Sequence, residues 1–301
     1  MKLFYTDHFE LPLPDGHRFP MSKYRLLRDR IVANPSHAQD VLLVPPAATV
    51  QQLTLAHDPD YVNRVFLGQL SDIELKRIGF PWSEKMVERS RRSSGATLAA
   101  ARTALKERIS VNLAGGTHHA MRSAGEGFCV FNDAAVTILS LRHEGLIRNA
   151  LVIDCDVHQG NGTAEILGND PDCFTFSIHG EKNFPLRKHP SSLDIDLPDG
   201  TTDEHYLSEL QRGLQQCIDS GHYDLMIYLA GADPYEGDRL GRLKLTKPGL
   251  IERDRRVLQF AQNHSIPVAI AMAGGYAQNV NDIVDIHAAT VATAKQFAQL
   301  L

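Results

Sequence analysis

Four times between residues 111 and 276 a short apolar run closes on glycine beside histidine, aspartate or tyrosine. The runs are 111–114, 151–153, 225–230 and 267–273, with 173–178 as a further strand among them. Branched apolar side chains suit a buried strand. Helical patterns separate the runs at 133–143, 163–167, 204–218 and 248–263, and a closing helix fits 279–301. Strands alternating with helices require a mainly parallel sheet wrapped on both faces. The expected class is therefore α/β, a three-layer α/β/α arrangement. The N-terminal part adds a short strand at 3–5, a helix at 23–33, a strand at 41–44 and a helix at 58–67 with Pro59 in its first turn. A long helix follows, capped by Ser83 and running to Glu107, with small residues (Gly95, Ala96, Ala99, Ala100, Ala101) suited to close packing on a sheet.

No low-complexity linker or solenoid period interrupts this order, so a single domain over 1–301 is expected. A formal net charge of −5 gives no basic footprint for nucleic acid. No apolar run reaches the length of a membrane span, and the first residues lack the apolar core of a signal peptide. Cys129, Cys155, Cys173 and Cys217 show no Cys-x-x-Cys spacing, which speaks against disulfides and a zinc knuckle and for the cytoplasm.

In an open parallel sheet, ligands bind beyond the carboxyl ends of the strands. Those ends carry His118 and His119 after Gly115-Gly116, then Asp154, Asp156 and His158, then Asp233 after Gly231, then Tyr276 after Gly274-Gly275. Taken alone, Asp-x-Asp-x-His reads equally well as two turn caps and a surface histidine; four such ends together point to one cleft. Alternate side chains of an extended chain face the same way, so Asp154, Asp156 and His158 are expected on one side. Asp156, His158 and Asp233 make a three-ligand metal set with an open position, as in catalytic zinc sites. The donors would equally suit Fe(II), Co(II) or Mn(II). A second catalytic metal would need a further carboxylate, and position 235 is Tyr. One of His118 and His119 can act as general base while the other stabilises charge. Asp154 would orient a ring, and Tyr276 would serve a developing oxyanion. Phe128 and Phe131 line the site or pack beneath it, and Phe184 is a second candidate wall. The short Gly-x-Gly stretches at 125–127 and 160–162 lack a nucleotide fingerprint.

In order and spacing these residues resemble the histone deacetylase family, in the arginase–deacetylase fold. The resemblance runs through Gly-Gly-x-His-His at 115–119, Gly-Phe-Cys-Val-Phe-Asn-Asp at 127–133, Asp-Cys-Asp-Val-His-Gln-Gly-Asn-Gly-Thr at 154–163, Ala-Gly-Ala-Asp-Pro at 230–234 and Gly-Gly-Tyr at 274–276. The wording of 11–24 and 127–163 is most like class IV and its bacterial relatives. The resemblance implies a zinc-dependent deacylase (Fe2+ as the alternative metal) that hydrolyses the amide of an acetyl- or longer-chain acyl-lysine by metal-activated water. It implies Asp156, His158 and Asp233 as metal ligands, His119 as general base, His118 paired with Asp154 as electrostatic helper, and Tyr276 polarising the acyl carbonyl. Gly127 would accept from the substrate amide through its carbonyl, with Phe128 and Phe184 flanking the acyl-lysine channel. A structural cation, usually potassium, would sit behind the site on Asp154, Asp156 and His158 main-chain groups with Ser177 and Ile178. Two departures stand out. Asn161 replaces the aspartate that many deacetylases place beside the second histidine. The rim aspartate with which class I enzymes grip a peptide has no counterpart in Gly79-Phe80-Pro81-Trp82. Asn161 brings no charge to favour an imidazolium, so His119 is expected to stay neutral to lower pH. The competing functions are an acetylpolyamine or other small-molecule amidohydrolase, a non-catalytic acyl-lysine reader, and a two-manganese ureohydrolase; the last is opposed by Tyr235.

Overall fold

The structure, a computed structural model, describes residues 1–299. Eight strands form one sheet: β1 (Lys2–Phe4), β2 (Val41–Leu43), β3 (Ile109–Asn112), β4 (Ala150–Asp154), β5 (Cys173–Gly180), β6 (Leu193–Leu197), β7 (Leu225–Leu229) and β8 (Val268–Ala271). Their order across the sheet is β2-β1-β3-β8-β7-β4-β5-β6, and every pairing is parallel. The four strands whose ends carry reactive residues, β3, β8, β7 and β4, are consecutive in the middle of the sheet. Their carboxyl ends therefore open onto one place.

Helices cover both faces. One side holds α1 (Ser22–Ala33), α8 (Asp203–Asp219), α9 (Lys247–Asn263) and α10 (Val280–Ala298). The other holds α2 (Val50–Ala56), α3 (Pro59–Leu67), α4 (Asp72–Ile78), α5 (Glu84–Glu107), α6 (Asp133–His143) and α7 (Asn161–Leu167). Alternation along the buried strands feeds both cores. On β4, Leu151 and Ile153 join the first core while Ala150 and Val152 join the second. The long helix α5 starts where Ser83 Oγ accepts the Met86 N–H. Its buried Ala96, Ala100, Ala101 and Ala104 share a core with Ala269 and Ala271 of β8, so small side chains meet small ones. At Gly95 a Cβ would overlap the Pro46 carbonyl.

Four elements lie beyond the sequence expectations, one of them a single 3-10 turn at Pro35–His37. Helices α2 and α4 are seven residues each, too short to show two turns of periodicity. Both nonetheless carry a reciprocal capping box, Thr49 with Gln52 and Ser71 with Glu74. The edge strand β6 reads Leu-Asp-Ile-Asp-Leu, and its outward aspartates hid its alternation. The four apolar runs shift by a residue or two: the 111–114 run is strand only to Asn112, and 267–273 is strand only over Val268–Ala271.

Candidate active site

The histidine loop after β3 is held by buried side chains. Asn112 Oδ1 accepts from the Ala114 N–H at 2.9 Å. Asp133, the first residue of α6, accepts from the N–H groups of Gly116 and Thr117, each at 2.8 Å, and from the hydroxyls of Thr117 and Thr97. Gly116 takes φ +76°, and a Cβ there would overlap Ala273, so only glycine fits. This frame presents His118 and His119 with ring centroids 4.1 Å apart, both buried. His118 Nδ1 lies 2.6 Å from Asp154 Oδ2. His119 Nδ1 lies 2.7 Å from Asn161 Oδ1, so Nδ1 carries the proton and Nε2 keeps its lone pair. The Asn161 amide in turn donates to Glu126 Oε2 at 3.3 Å, which fixes its orientation.

The two rings have opposite acid–base character. Burial opposes charge on His118, but the Asp154 and Asp156 carboxylates outweigh it and push the ring up to about 9. Burial, with His118 and His158 as positive neighbours, holds His119 well below the ordinary imidazole range.

Asp154, Asp156 and His158 do converge, but not as an extended chain. The strand ends at Asp154. Asp154 Oδ1 then accepts from the Asp156 N–H at 3.1 Å, and Asp156 Oδ1 from the His158 N–H at 2.9 Å. Two successive aspartate turns fold the backbone so that His158 swings back over Asp156. Across β7, Asp233 Oδ1 accepts from the Val157 N–H at 2.9 Å, and across β8, Asp156 Oδ2 accepts from the Gly274 N–H at 2.8 Å. The remaining atoms face one another. His158 Nδ1 is 3.0 Å from Asp156 Oδ1 and 3.3 Å from Asp233 Oδ2. All three residues offer ligand atoms within 4.8 Å of one another, and all are buried.

This set fits a divalent metal. Asp233 Oδ2 is buried and, apart from facing the His158 ring nitrogen at 3.3 Å, has no hydrogen-bond partner among the described residues. Two buried carboxylates face one imidazole: against burial they push His158 up to about 10, while burial and the neighbouring Asp156 push Asp233 up to about 7. Gly274 leaves the space open: a Cβ there would overlap Asp233 Oδ2 and stand 2.5 Å from Asp156 Oδ2.

Tyr276 is placed by a residue the sequence did not single out. Asp238 Oδ2 accepts its N–H at 2.6 Å, and Arg239 Nε donates to its carbonyl at 2.8 Å. The Tyr276 hydroxyl makes no hydrogen bond among the described residues. Its ring is 6.4 Å from that of His158 and 5.9 Å from that of Phe128. Gly127 and Phe128 both take positive φ, +55° and +67°. A Cβ at Gly127 would stand 2.6 Å from His119 Cδ2, so glycine lets this turn close on the histidine. Phe184 meets His119 edge-on at 4.8 Å and is partly exposed. Phe131 is buried in the core beneath. A cleft of about 480 Å³ leads from the surface past Phe128 and Phe184 to His119, His158 and Tyr276. A 60 Å³ cavity lies behind, reaching Lys23 and Arg89.

Other supports were also beyond sequence reasoning. Arg253 of α9 is fully buried, donates to the Gly231 carbonyl at 2.5 Å and pairs with Asp254, tying the Asp233 loop to the helix layer. Asn132 and Asp133 stood inside a quoted motif, but nothing local assigned them the histidine loop. The Ser177 and Asp154 positions lie directly opposite across β4 and β5.

A family model described as the histone deacetylase domain matches residues 17–291, nearly the whole chain. The chain belongs to the histone deacetylase family. It is 41% identical to an uncharacterized protein of Picosynechococcus sp., over 94% of both chains. It is 28% identical to histone deacetylase 2 of Arabidopsis thaliana, over 86% of this chain and 70% of that one. A solved histone deacetylase homologue from Aquifex aeolicus, 23% identical, superposes with a TM-score of 0.81 over 99% of this chain and 88% of its own. The deacetylase fold, three layers around a parallel sheet, is therefore that of the family.

Proposed function

We propose that the chain is a single-domain, zinc-dependent deacylase that hydrolyses the amide of an acyl-lysine. One observation carries this reading: a buried carboxylate–histidine–carboxylate set lies beside two buried histidines, one paired with a carboxylate and the other with an amide, and an unengaged tyrosine hydroxyl. Asp156, His158 and Asp233 would hold the metal, which supplies Lewis acidity and makes water acidic enough to react near neutral pH. His119 Nε2 is unprotonated and takes the proton of the attacking water as its oxygen bonds to the acyl carbon. The Tyr276 hydroxyl donates to the oxygen that becomes negative. His118, paired with Asp154 at 2.6 Å, adds positive charge beside the reacting atoms. The C–N bond then breaks, the proton passes to the departing nitrogen, and a carboxylate and an amine leave. Phe128 and Phe184 flank the lysine chain, and the Gly127 carbonyl, engaged among the described residues only by the Cys129 thiol at 3.5 Å, is available to the substrate amide N–H.

Iron(II) would satisfy the same donors. The Asp154–Ser177 register supports a structural potassium ion on the main-chain groups of Asp154, Asp156 and His158 with Ser177 and Ile178. Four free, buried cysteines suit a reducing cytoplasm. Among the described residues no helix is long and apolar enough to cross a membrane.

The test is hydrolysis of acetyl-, octanoyl- and myristoyl-lysine peptides by metal-loaded protein. Turnover should fall at least about 100-fold in Tyr276→Phe and in His119→Ala, since each removes a group acting on the transition state. Metal-loaded protein that binds these peptides without hydrolysing any of them would instead be an acyl-lysine reader.

A further inference from the structure

The walls of the outer cleft carry a charge pattern that the catalytic reading does not use. Beyond the aromatic pair, the lining includes Arg18, Lys76, Arg77, Lys182 and Arg242, all exposed. Arg242 pairs with Asp199 at 3.1 Å. The other four make no ion pair among the described residues. The one acid on the lining, Glu126, is half-buried and engaged by the Asn161 amide. This runs against the molecule as a whole, whose acids exceed its bases to give a net charge of −5. Elsewhere Arg64 is shared by Asp60 and Glu74, and Arg142 by Asp170 and Asp172. Like charges gathered without counterions repel, so such a ring is favourable only when something negative enters it.

We propose that this mouth selects substrates carrying negative charge beside the acylated amine. The class is an acylated amine flanked by carboxylate or phosphate, whether in an acidic peptide or in a small molecule. Polycationic acetylpolyamines, and lysine- and arginine-rich tails, are disfavoured by the same ring. The four unpaired cations come from three separate segments: the loop before α1, the end of α4 and the loop after β5. They therefore surround an entering chain rather than marking one face. This selection rests on the deacylase reading only for the position of the amide; the charge preference belongs to the cleft itself.

The experiment uses metal-loaded protein and acetyl-lysine peptides of one length with acidic, neutral or basic flanks. N-acetylspermidine and N-acetyl-aminohexanoate are added as small cationic and anionic substrates. The acidic peptide should exceed the basic one by about tenfold or more in kcat/KM at low salt, and the ratio should shrink as ionic strength rises. The double variant Lys76→Glu/Arg77→Glu should reverse the order. Good turnover of N-acetyl-aminohexanoate relative to the acidic peptide would identify the small anion as the natural class, and poor turnover the acidic peptide. Binding of labelled peptides to Tyr276→Phe, read by fluorescence anisotropy, gives the same ranking without catalysis. Hydrolysis of acidic and basic peptides at equal rates, with equal binding, would overturn charge selection and leave the deacylase reading standing. Tighter acidic binding with no hydrolysis by the wild type would support charge selection and overturn the deacylase reading.

Discussion

Replacing Asn161 by aspartate should raise His119 from well below the ordinary imidazole range back toward it. The structure supplies its own calibration. His118 and His119 are adjacent, equally buried, and hydrogen-bonded through Nδ1 at 2.6 and 2.7 Å. The ring facing a carboxylate is pushed up to about 9, against burial, while the ring facing an amide lies well below 6.5. Asp156 adds to the rise of His118, and repulsion by His118 and His158 adds to the fall of His119, so the hydrogen-bonded partner accounts for part of the gap. The Asn161→Asp variant brings a carboxylate to His119, but the imidazolium formed would face His118, whose ring lies 4.1 Å away, and part of the gain is lost. A net rise of roughly one to two pH units, about 1.4–2.7 kcal/mol, remains. The acid limb of kcat/KM against pH reports this group in the free enzyme. In the variant the limb should move up by that amount, with the alkaline plateau much less affected. The new carboxylate would also face Glu126, so Asn161→Asp/Glu126→Gln is the companion variant that removes this repulsion. An active double variant that binds metal normally, yet shows an unmoved acid limb, would refute the assignment of His119 as the base tuned by residue 161.

Two further outcomes follow from local geometry. Gly274→Ala pushes a methyl group onto both metal carboxylates; zinc affinity should fall about 10–100-fold in competition with a chromophoric chelator, and unchanged affinity would show that Asp156 and Asp233 are not the ligands. His57 is a buried neutral ring whose Nδ1 donates to the Met121 carbonyl and whose Nε2 accepts the Asn132 N–H, and burial depresses it to about 4. Its contribution to stability is complete above pH 6.5, where the ring is neutral in the folded and unfolded chain alike. It is lost as pH falls toward 4, because only the unfolded chain takes up the proton. Urea unfolding should therefore show about 2 kcal/mol less stability from this residue at pH 5 than at pH 7, and His57→Gln should flatten that difference.

The central sheet was legible because its strands are buried on both faces and read as unbroken apolar runs. The edge strand β6, with Asp194 and Asp196 along it, broke that rule and was passed over. The reactive residues were legible because each stands within a few positions of a strand end, and β3, β8, β7 and β4 proved to be neighbours. How Asp154, Asp156 and His158 converge was misread: alternation along a strand implied a common face, whereas aspartate side chains capture successive N–H groups and bend the chain. The supports were illegible for a different reason. Asp133, Asp238 and Arg253 act across the fold on Gly116, Tyr276 and Gly231. No local pattern distinguishes them from a helix-capping acid, a loop acid and a surface arginine. The basic mouth is likewise invisible in a chain of negative net charge, because it is assembled from distant segments.

The most direct measurement is a titration of metal-free protein with Zn2+, following bound metal and hydrolysis of an acyl-lysine peptide together. Both should saturate at one metal per chain, and Asp233→Asn should abolish both while leaving the fold intact by circular dichroism. Hydrolysis that persists after exhaustive chelation, or an Asp233→Asn variant that binds zinc and turns over like the wild type, would contradict a metal-dependent deacylase centred on Asp156, His158 and Asp233.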